Sequence, residues 1–335
     1  MDLATRYMGL ELANPLVASP SPLSYTLDGI RRLAASGVGA IVMYSLFEEQ
    51  LREAEAKVAR LVEGPAESFP EALDYVPEIA KAGPGNRYLS LLERAAGTVE
   101  IPVIASLNGI SPEGWTGHAR DMEEAGAAAI ECNIYYLPGD PHVQASDVEQ
   151  RHLDILHSVK DAVELPVAVK VSPYFSSFGS FAQRLDAEGA DALVLFNRFL
   201  QPDIDPEAVS VSGEVTLSTS ADGRLPRAWI ALLRGRLRAS LAGTGGVQQA
   251  ADVVRYLLAG ADVVMTTSAL LREGAQYART LLDGLELWME RHEFRNVSDL
   301  RGLLAVPADE DRDAYERAGY VRAMRAANAT SPEAW

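Results

Sequence analysis

Four short runs constrain this chain more than anything else in it. Residues 35–40 read Ala-Ser-Gly-Val-Gly-Ala, 124–129 read Glu-Ala-Gly-Ala-Ala-Ala, 187–192 read Ala-Glu-Gly-Ala-Asp-Ala and 258–263 read Leu-Ala-Gly-Ala-Asp-Val. Each places a small residue and a glycine after a helix-period segment and just before an apolar run, as a helix C-cap leading into a strand would. The apolar runs are Pro15–Ser19, Gly39–Tyr44, Pro102–Leu107, Ala127–Asn133, Val167–Val171, Ala190–Phe196, Ser240–Gly243 and Asp262–Thr267. Helical periods follow them at Asp28–Ser36, Arg87–Ala96, Pro112–Ala125, Asp147–Ala162, Phe178–Glu188, Pro226–Leu237, Val247–Ala259 and Ala269–Arg291. Strands alternating with helices imply parallel pairing. Eight such units predict an α/β fold, a single closed (β/α)8 TIM barrel over residues 1–292 with no internal domain boundary. A polar stretch at 46–86, after the second strand, is too long for a plain connection and is expected to cover a site. Residues 293–335 are expected to form a helical C-terminal extension with a partly disordered tail.

Composition excludes several classes. A net charge of −17 without a basic stripe argues against nucleic acid and against an anionic membrane surface. No long apolar run spans a bilayer. The first residues, Met1–Tyr7, lack the basic-then-apolar pattern of a signal peptide, so a cytoplasmic location is expected. Cys132 is the only cysteine, which rules out an internal disulfide and an iron–sulfur cluster held by this chain alone.

Within the fifth strand, Leu165–Tyr174 reads Leu-Pro-Val-Ala-Val-Lys-Val-Ser-Pro-Tyr. Lys170 is one of four lysines and the only one in an apolar strand. Burying its ammonium is costly unless it leaves the strand end and meets an anion. It reads either as a snorkelling lysine or as a catalytic or cofactor-contacting one at the barrel mouth. In such barrels the working residues stand at the strands' C-terminal ends. Here those ends carry amides, hydroxyls and glycines, including Ser19, Ser45, Asn108, Asn133, Asn197, Gly245, Gly246, Thr267 and Ser268. Paired acids or His clusters, which sugar or metal hydrolases need, are missing, and Glu131 and Asp140 have no partner at useful spacing. Neutral hydrogen-bonding groups with one cation suit a flat heteroaromatic ring bearing carbonyls. Gly243-Thr-Gly-Gly-Val247 after the seventh strand and Thr267-Ser268 after the eighth suit a phosphate, or else are tight turns at the rim.

Taken together, these residues resemble the dihydroorotate dehydrogenase family, flavin mononucleotide (FMN) barrels of the class 1 type, over roughly residues 5–292. The similarity rests on Gly9-Leu10, Asn14-Pro15 and Ala18-Ser19, on Glu131-Cys-Asn133, on Val169-Lys170 with Pro173-Tyr174, on Asn197, and on Gly243–Val247 with Ala269-Leu270 and Glu273-Gly274. The resemblance implies that Ala18 and Ser19 face the flavin edge and that Ser45 lies beside it. It implies that Asn108, Asn133 and Lys170 bond the ring, and that Ser218, Gly245, Gly246, Thr267 and Ser268 lie around the phosphate. Asn133 and Asn197 would reach the substrate. It also implies a homodimer in pyrimidine biosynthesis and leaves room for an electron-transfer partner.

Three positions depart from the family. Tyr44 replaces a lysine of the second strand. Thr219, after Ser218, stands where a glycine is usual. Tyr136 occupies the place of the family's Cys or Ser base. A tyrosine of ordinary pKa is a poor base at neutral pH but a plausible acid. Tyr136 and Lys170 are therefore the candidate catalytic residues, for slow dihydroorotate oxidation or for reduction of an activated C=C bond with Tyr136 as proton donor. Tyr135 and Tyr136 as simple pocket lining remains open. So do a non-catalytic flavin barrel and a flavin-free enzyme using Lys170 as a Schiff-base nucleophile. Cys132 should face away from the axis if Asn133 faces inward.

Overall fold

The computed structural model describes residues 1–63, 83–111, 115–198, 202–213, 216–307, 309–310 and 312–330. The chain begins with an antiparallel hairpin, β1 (Thr5–Tyr7) and β2 (Leu10–Leu12). The first barrel strands are β3 (Leu16–Ala18) and β4 (Ala40–Val42). A two-residue β5 (Leu46–Phe47) lies on the edge of β6 (Val103–Asn108). Then follow β7 (Ala129–Asn133), β8 (Val167–Val171) and β9 (Ala192–Leu195). An outlying antiparallel hairpin, β10 (Asp203–Asp205) and β11 (Ser210–Ser212), precedes β12 (Ser240–Thr244) and β13 (Val263–Thr266). The eight barrel strands pair in parallel in chain order, and β13 closes on β3 while β4 meets β6. The expected α/β barrel is therefore the fold.

The glycines of the four repeated runs explain the handovers. Gly37, Gly126, Gly189 and Gly260 all have φ between 88° and 117°, the left-handed region a side chain resists. The helices bury one face each. In the helix Phe178–Ala187 that face is Phe178, Phe181, Ala182 and Leu185, spaced three and four apart. Residue alternation sends every second side chain of a strand to the barrel axis. The inward set includes Val17, Val42, Ile104, Val194 and Met265, and small residues at Ala40, Ala129, Ala168, Ala192 and Ala242. Those alanines leave space that the strands do not fill. The hairpin fills it with Tyr7, Met8 and Leu12, and Tyr7 is fully buried. Cys132 is buried in the outer layer instead, where burial pushes its thiol up.

Several elements differ from expectation. The stretch after β5 opens as a helix, Glu48–Glu63, and its remainder at 64–82 lies outside the described residues. The helix expected over 112–125 is Thr116–Glu124, with 112–114 outside the described residues. The β10–β11 hairpin stands in what reads as one long loop. A single helix over 269–291 is two, Ser268–Glu273 and Tyr277–Arg291, broken at Gly274 with φ 87°. The C-terminal extension contains Val297–Leu300 and Arg312–Thr330, and the tail from 331 lies outside the described residues.

Candidate active site

The C-terminal ends of β3, β8, β9, β12 and β13 surround a cavity of about 910 Å³, near the upper end of ligand-pocket sizes. Lys170, Asn197, Ser218 and Gly245–Gly246 line it together with Ser19, Thr267 and Ser268. Eight residues scattered over most of the chain are thus brought together by strand order alone.

Lys170 reaches the cavity from the last residue but one of β8 and is only 8% exposed. Its ammonium meets the Glu131 carboxylate, Nζ to Oε1 3.3 Å. Glu131 is 1% exposed, and its Oε2 has no hydrogen-bond partner. The sequence reading left Glu131 without a partner, and the register corrects that. β7 and β8 align Asn133 with Lys170, so Glu131, two residues earlier on the same inward face, lies diagonally beneath the lysine. Asn133 Oδ1 accepts a short hydrogen bond from Asn197 Nδ2. Asn197 lines the cavity while Asn133 lies outside its lining, which leaves Asn197 Oδ1 as an acceptor there, suited to an amide N–H.

Opposite these groups the loop after β12 turns through Gly245 (φ 90°) and Gly246 (φ 68°). A Cβ on Gly246 would collide with Gly223 N and stand 2.7 Å from Thr219 O, so only glycine fits this close approach. The Ser218 hydroxyl donates to Ser268 Oγ at 2.9 Å and accepts from Gly246 N–H at 3.2 Å. Arg272 donates to the Ser218 carbonyl at 2.9 Å and to the Leu217 carbonyl at 3.1 Å, pinning this strip of chain. The N-terminus of the helix Ala250–Ala259 is capped from within the helix. Its own Asp252, fully buried, accepts from Gln248 N–H at 3.1 Å and Gln249 N–H at 3.2 Å. The anion-ready groups that line the cavity are therefore the Gly245–Gly246 turn and the hydroxyls of Ser218, Thr267 and Ser268. Ser19 adds a buried hydroxyl without a partner at the cavity wall, a polar atom waiting for a ligand.

Other expected site residues lie elsewhere. Ala18 is buried among the outer-layer residues, so at most its backbone faces the cavity. Asn108 is buried at the end of β6, opposite Asn133 in register but outside the cavity lining. Ser45 contacts the Ser106 hydroxyl at 2.9 Å. It lines a second cavity with Tyr44, Tyr25 and Arg87. Tyr44 is therefore turned away from Lys170, and burial, with Tyr25 adding to it, raises its pKa. Tyr136 lies against the core beneath Arg151, whose guanidinium is 4.3 Å from its ring centroid. Tyr135, not Tyr136, lines the main cavity. Among the described residues no group of three or more His, Cys, Asp or Glu gathers as a metal site, and no helix is long and apolar enough to cross a membrane.

Fold and site together define a class: a (β/α)8 barrel with a ligand-sized cavity, lined by glycines and hydroxyls, at the C-terminal face of its strands. Within that class, the chain belongs to the dihydroorotate dehydrogenase family, whose model matches residues 2–289. It is similar to the "dihydroorotate dehydrogenase B (NAD(+)), catalytic subunit" of Thermoplasma acidophilum, 26% identical over 90% of this chain and 98% of the relative. The protein of the same name from Methanothermobacter thermautotrophicus is also 26% identical, over 90% and 98%. That of Listeria monocytogenes serovar 1/2a is 28% identical over 78% of this chain and 85% of the relative.

Proposed function

We propose that this protein is an FMN-dependent oxidoreductase acting on a CH–CH pair of a small cyclic amide, dihydroorotate or a close relative of it. The observation that carries the reading is the convergence on one cavity of Lys170, Asn197, which is bonded to Asn133, and the Gly245–Gly246 turn with its three hydroxyls. Ser218, Gly245, Gly246, Thr267 and Ser268 would hold the phosphate, and Ser19 and Lys170 the ring. When bound, FMN supplies hydride transfer, with negative charge gathering at its N1/O2 edge on reduction. Lys170 places a positive charge where that edge would lie. Asn133 and Asn197 orient the substrate's amide edge. The FMN cofactor, a homodimer and an electron-transfer partner subunit belong to the same proposal. The relatives' designation as catalytic subunits supports the last.

The proton on the substrate's second carbon needs a group of its own. The ionisable side chains lining the cavity are Tyr135, Lys170, Arg198 and Asp203. No cysteine or histidine stands among these lining residues. A tyrosine hydroxyl holds its proton at neutral pH and gives it up to a forming carbanion more readily than it removes one. This favours, as a second reading, operation toward C=C reduction, with Tyr135 as the acid in place of Tyr136.

Anaerobic mixing of dihydroorotate with FMN-loaded protein tests the first reading: the visible flavin absorbance bleaches. A protein that takes up no flavin overturns it, and a yellow protein that no substrate bleaches supports a non-catalytic flavin barrel. Turnover of Tyr135→Phe should fall roughly 10²–10⁴-fold, the usual range for a proton-transfer group. Tyr136→Phe should leave turnover near the parent level. The reverse pattern would return the role to Tyr136.

A further inference from the structure

Glu131 is an unexplained charge behind the cavity wall. It is one of the most deeply buried ionisable groups in the molecule, at 1% exposure. Its Oε1 reaches Lys170 Nζ at 3.3 Å, and its Oε2 has no partner. Across β6 it is opposite Ser106, whose hydroxyl is shared with Ser45 and whose N–H donates to the Tyr88 hydroxyl at 2.8 Å. Below it the barrel floor is alanine and the buried Tyr7, whose hydroxyl also has no partner. The negative charge reaches Tyr7, Tyr88 and Cys132 and, added to their burial, raises all three. Packing does not call for a carboxylate here: the register neighbours of Glu131 are Ser106 on β6 and Ala168 on β8. Among the described residues its ionic partner is Lys170, the cation that lines the cavity.

We infer that Glu131 is a positioning residue that holds the Lys170 ammonium at the cavity wall and offsets part of its charge, lowering the reduction potential of the bound flavin. The inference rests on the FMN reading above. An uncompensated ammonium would favour the reduced ring strongly, because reduction places one negative charge beside it. A carboxylate 3.3 Å behind that ammonium holds it back and makes the lysine a weaker electrostatic partner for the ring. The pair thus sets how readily the ring gives its electrons on, while Lys170 alone would trap them.

The test is the midpoint potential of FMN-loaded protein, measured by anaerobic dye titration for the parent, Glu131→Gln, Lys170→Met and the double variant. Glu131→Gln should raise the potential, with at least a tenfold gain in the reduced-over-oxidised affinity ratio, about 30 mV for a two-electron couple. In the Lys170→Met background the same substitution should move it by less than half as much. An unchanged potential in Glu131→Gln overturns the inference, and so does an equal shift with and without Lys170, which would mean a direct effect on the ring. If Glu131→Gln does not fold, Glu131→Asp carries the test. It keeps the charge but draws it back from Lys170, and should raise the potential by a smaller amount; no rise overturns the inference. A protein that binds no FMN fails the reading above. A flavoprotein in which these substitutions leave the potential alone fails only this inference.

Discussion

Lys170 shows how far a single residue can be read. A lone charge in an apolar run marks itself, because burial of an ammonium demands a reason, and the cavity supplies one. Its partner was not legible. Glu131 is far away in sequence, and only the β7–β8 register brings the two together. Tyr135 and Tyr136 mark a different limit: neighbours in a loop without period give no basis for choosing which one faces the ligand, and Arg151 settles the matter by drawing Tyr136 to the core. The buried pair predicts an asymmetry in stability. Lys170→Met leaves Glu131 buried without its cation and should cost about 3–5 kcal/mol. The Lys170→Met/Glu131→Gln double variant should recover most of that loss. Urea midpoints of the three proteins check it, and additive losses would mean the pair contributes nothing as a pair.

At the level of elements, the helix Ala145–Lys160 carries a titration that the site does not use. His152 is 1% exposed, donates from Nδ1 to the Val148 carbonyl at 2.7 Å and meets the edges of Phe175 and Phe181. Burial pushes its imidazole down to about 4, aided by the Arg151 charge and opposed by the Val148 bond. The unfolded chain therefore binds a proton near pH 6.5 that the folded chain refuses until about pH 4. Stability is fully present above the higher value and falls as pH drops through this window, by about 1.4 kcal/mol per unit and roughly 3 kcal/mol in all. His152→Phe should flatten that slope, read from urea midpoints at neutral and at mildly acidic pH. The turn after β12 makes a second prediction. Gly246→Ala must hold a φ of 68° and displace Gly223, so FMN affinity should fall at least tenfold by equilibrium titration. Elements with a period or a glycine cap were legible. The β10–β11 hairpin and the N-terminal hairpin were not, because three-residue strands carry too little pattern.

For the molecule as a whole, the barrel was legible because eight repeats of one unit leave a single closed solution. The plug was not, since nothing local in Tyr7 says that distant alanines leave it a space. Charge adds a prediction at this scale. A net −17 repels a phosphate-bearing ligand at long range, so the FMN association rate should rise with salt as the Debye length falls from about 30 Å at 0.01 M to about 8 Å at 0.15 M. Stopped-flow quenching of FMN fluorescence measures it; a rate that falls with salt would show that Arg198 and Arg272 govern the approach. Closure of the barrel also joins its first and last strands. Thr267 Oγ1 donates to the Ser19 carbonyl at 3.1 Å, Ser19 N–H donates to the Thr266 carbonyl at 3.0 Å, and all three residues line the cavity. A nascent polypeptide carries Ser19 out of the ribosome long before Thr267 has been translated. The cradle can therefore be assembled only after synthesis has passed β13, and a captured ligand certifies that a molecule has been made through its last barrel strand.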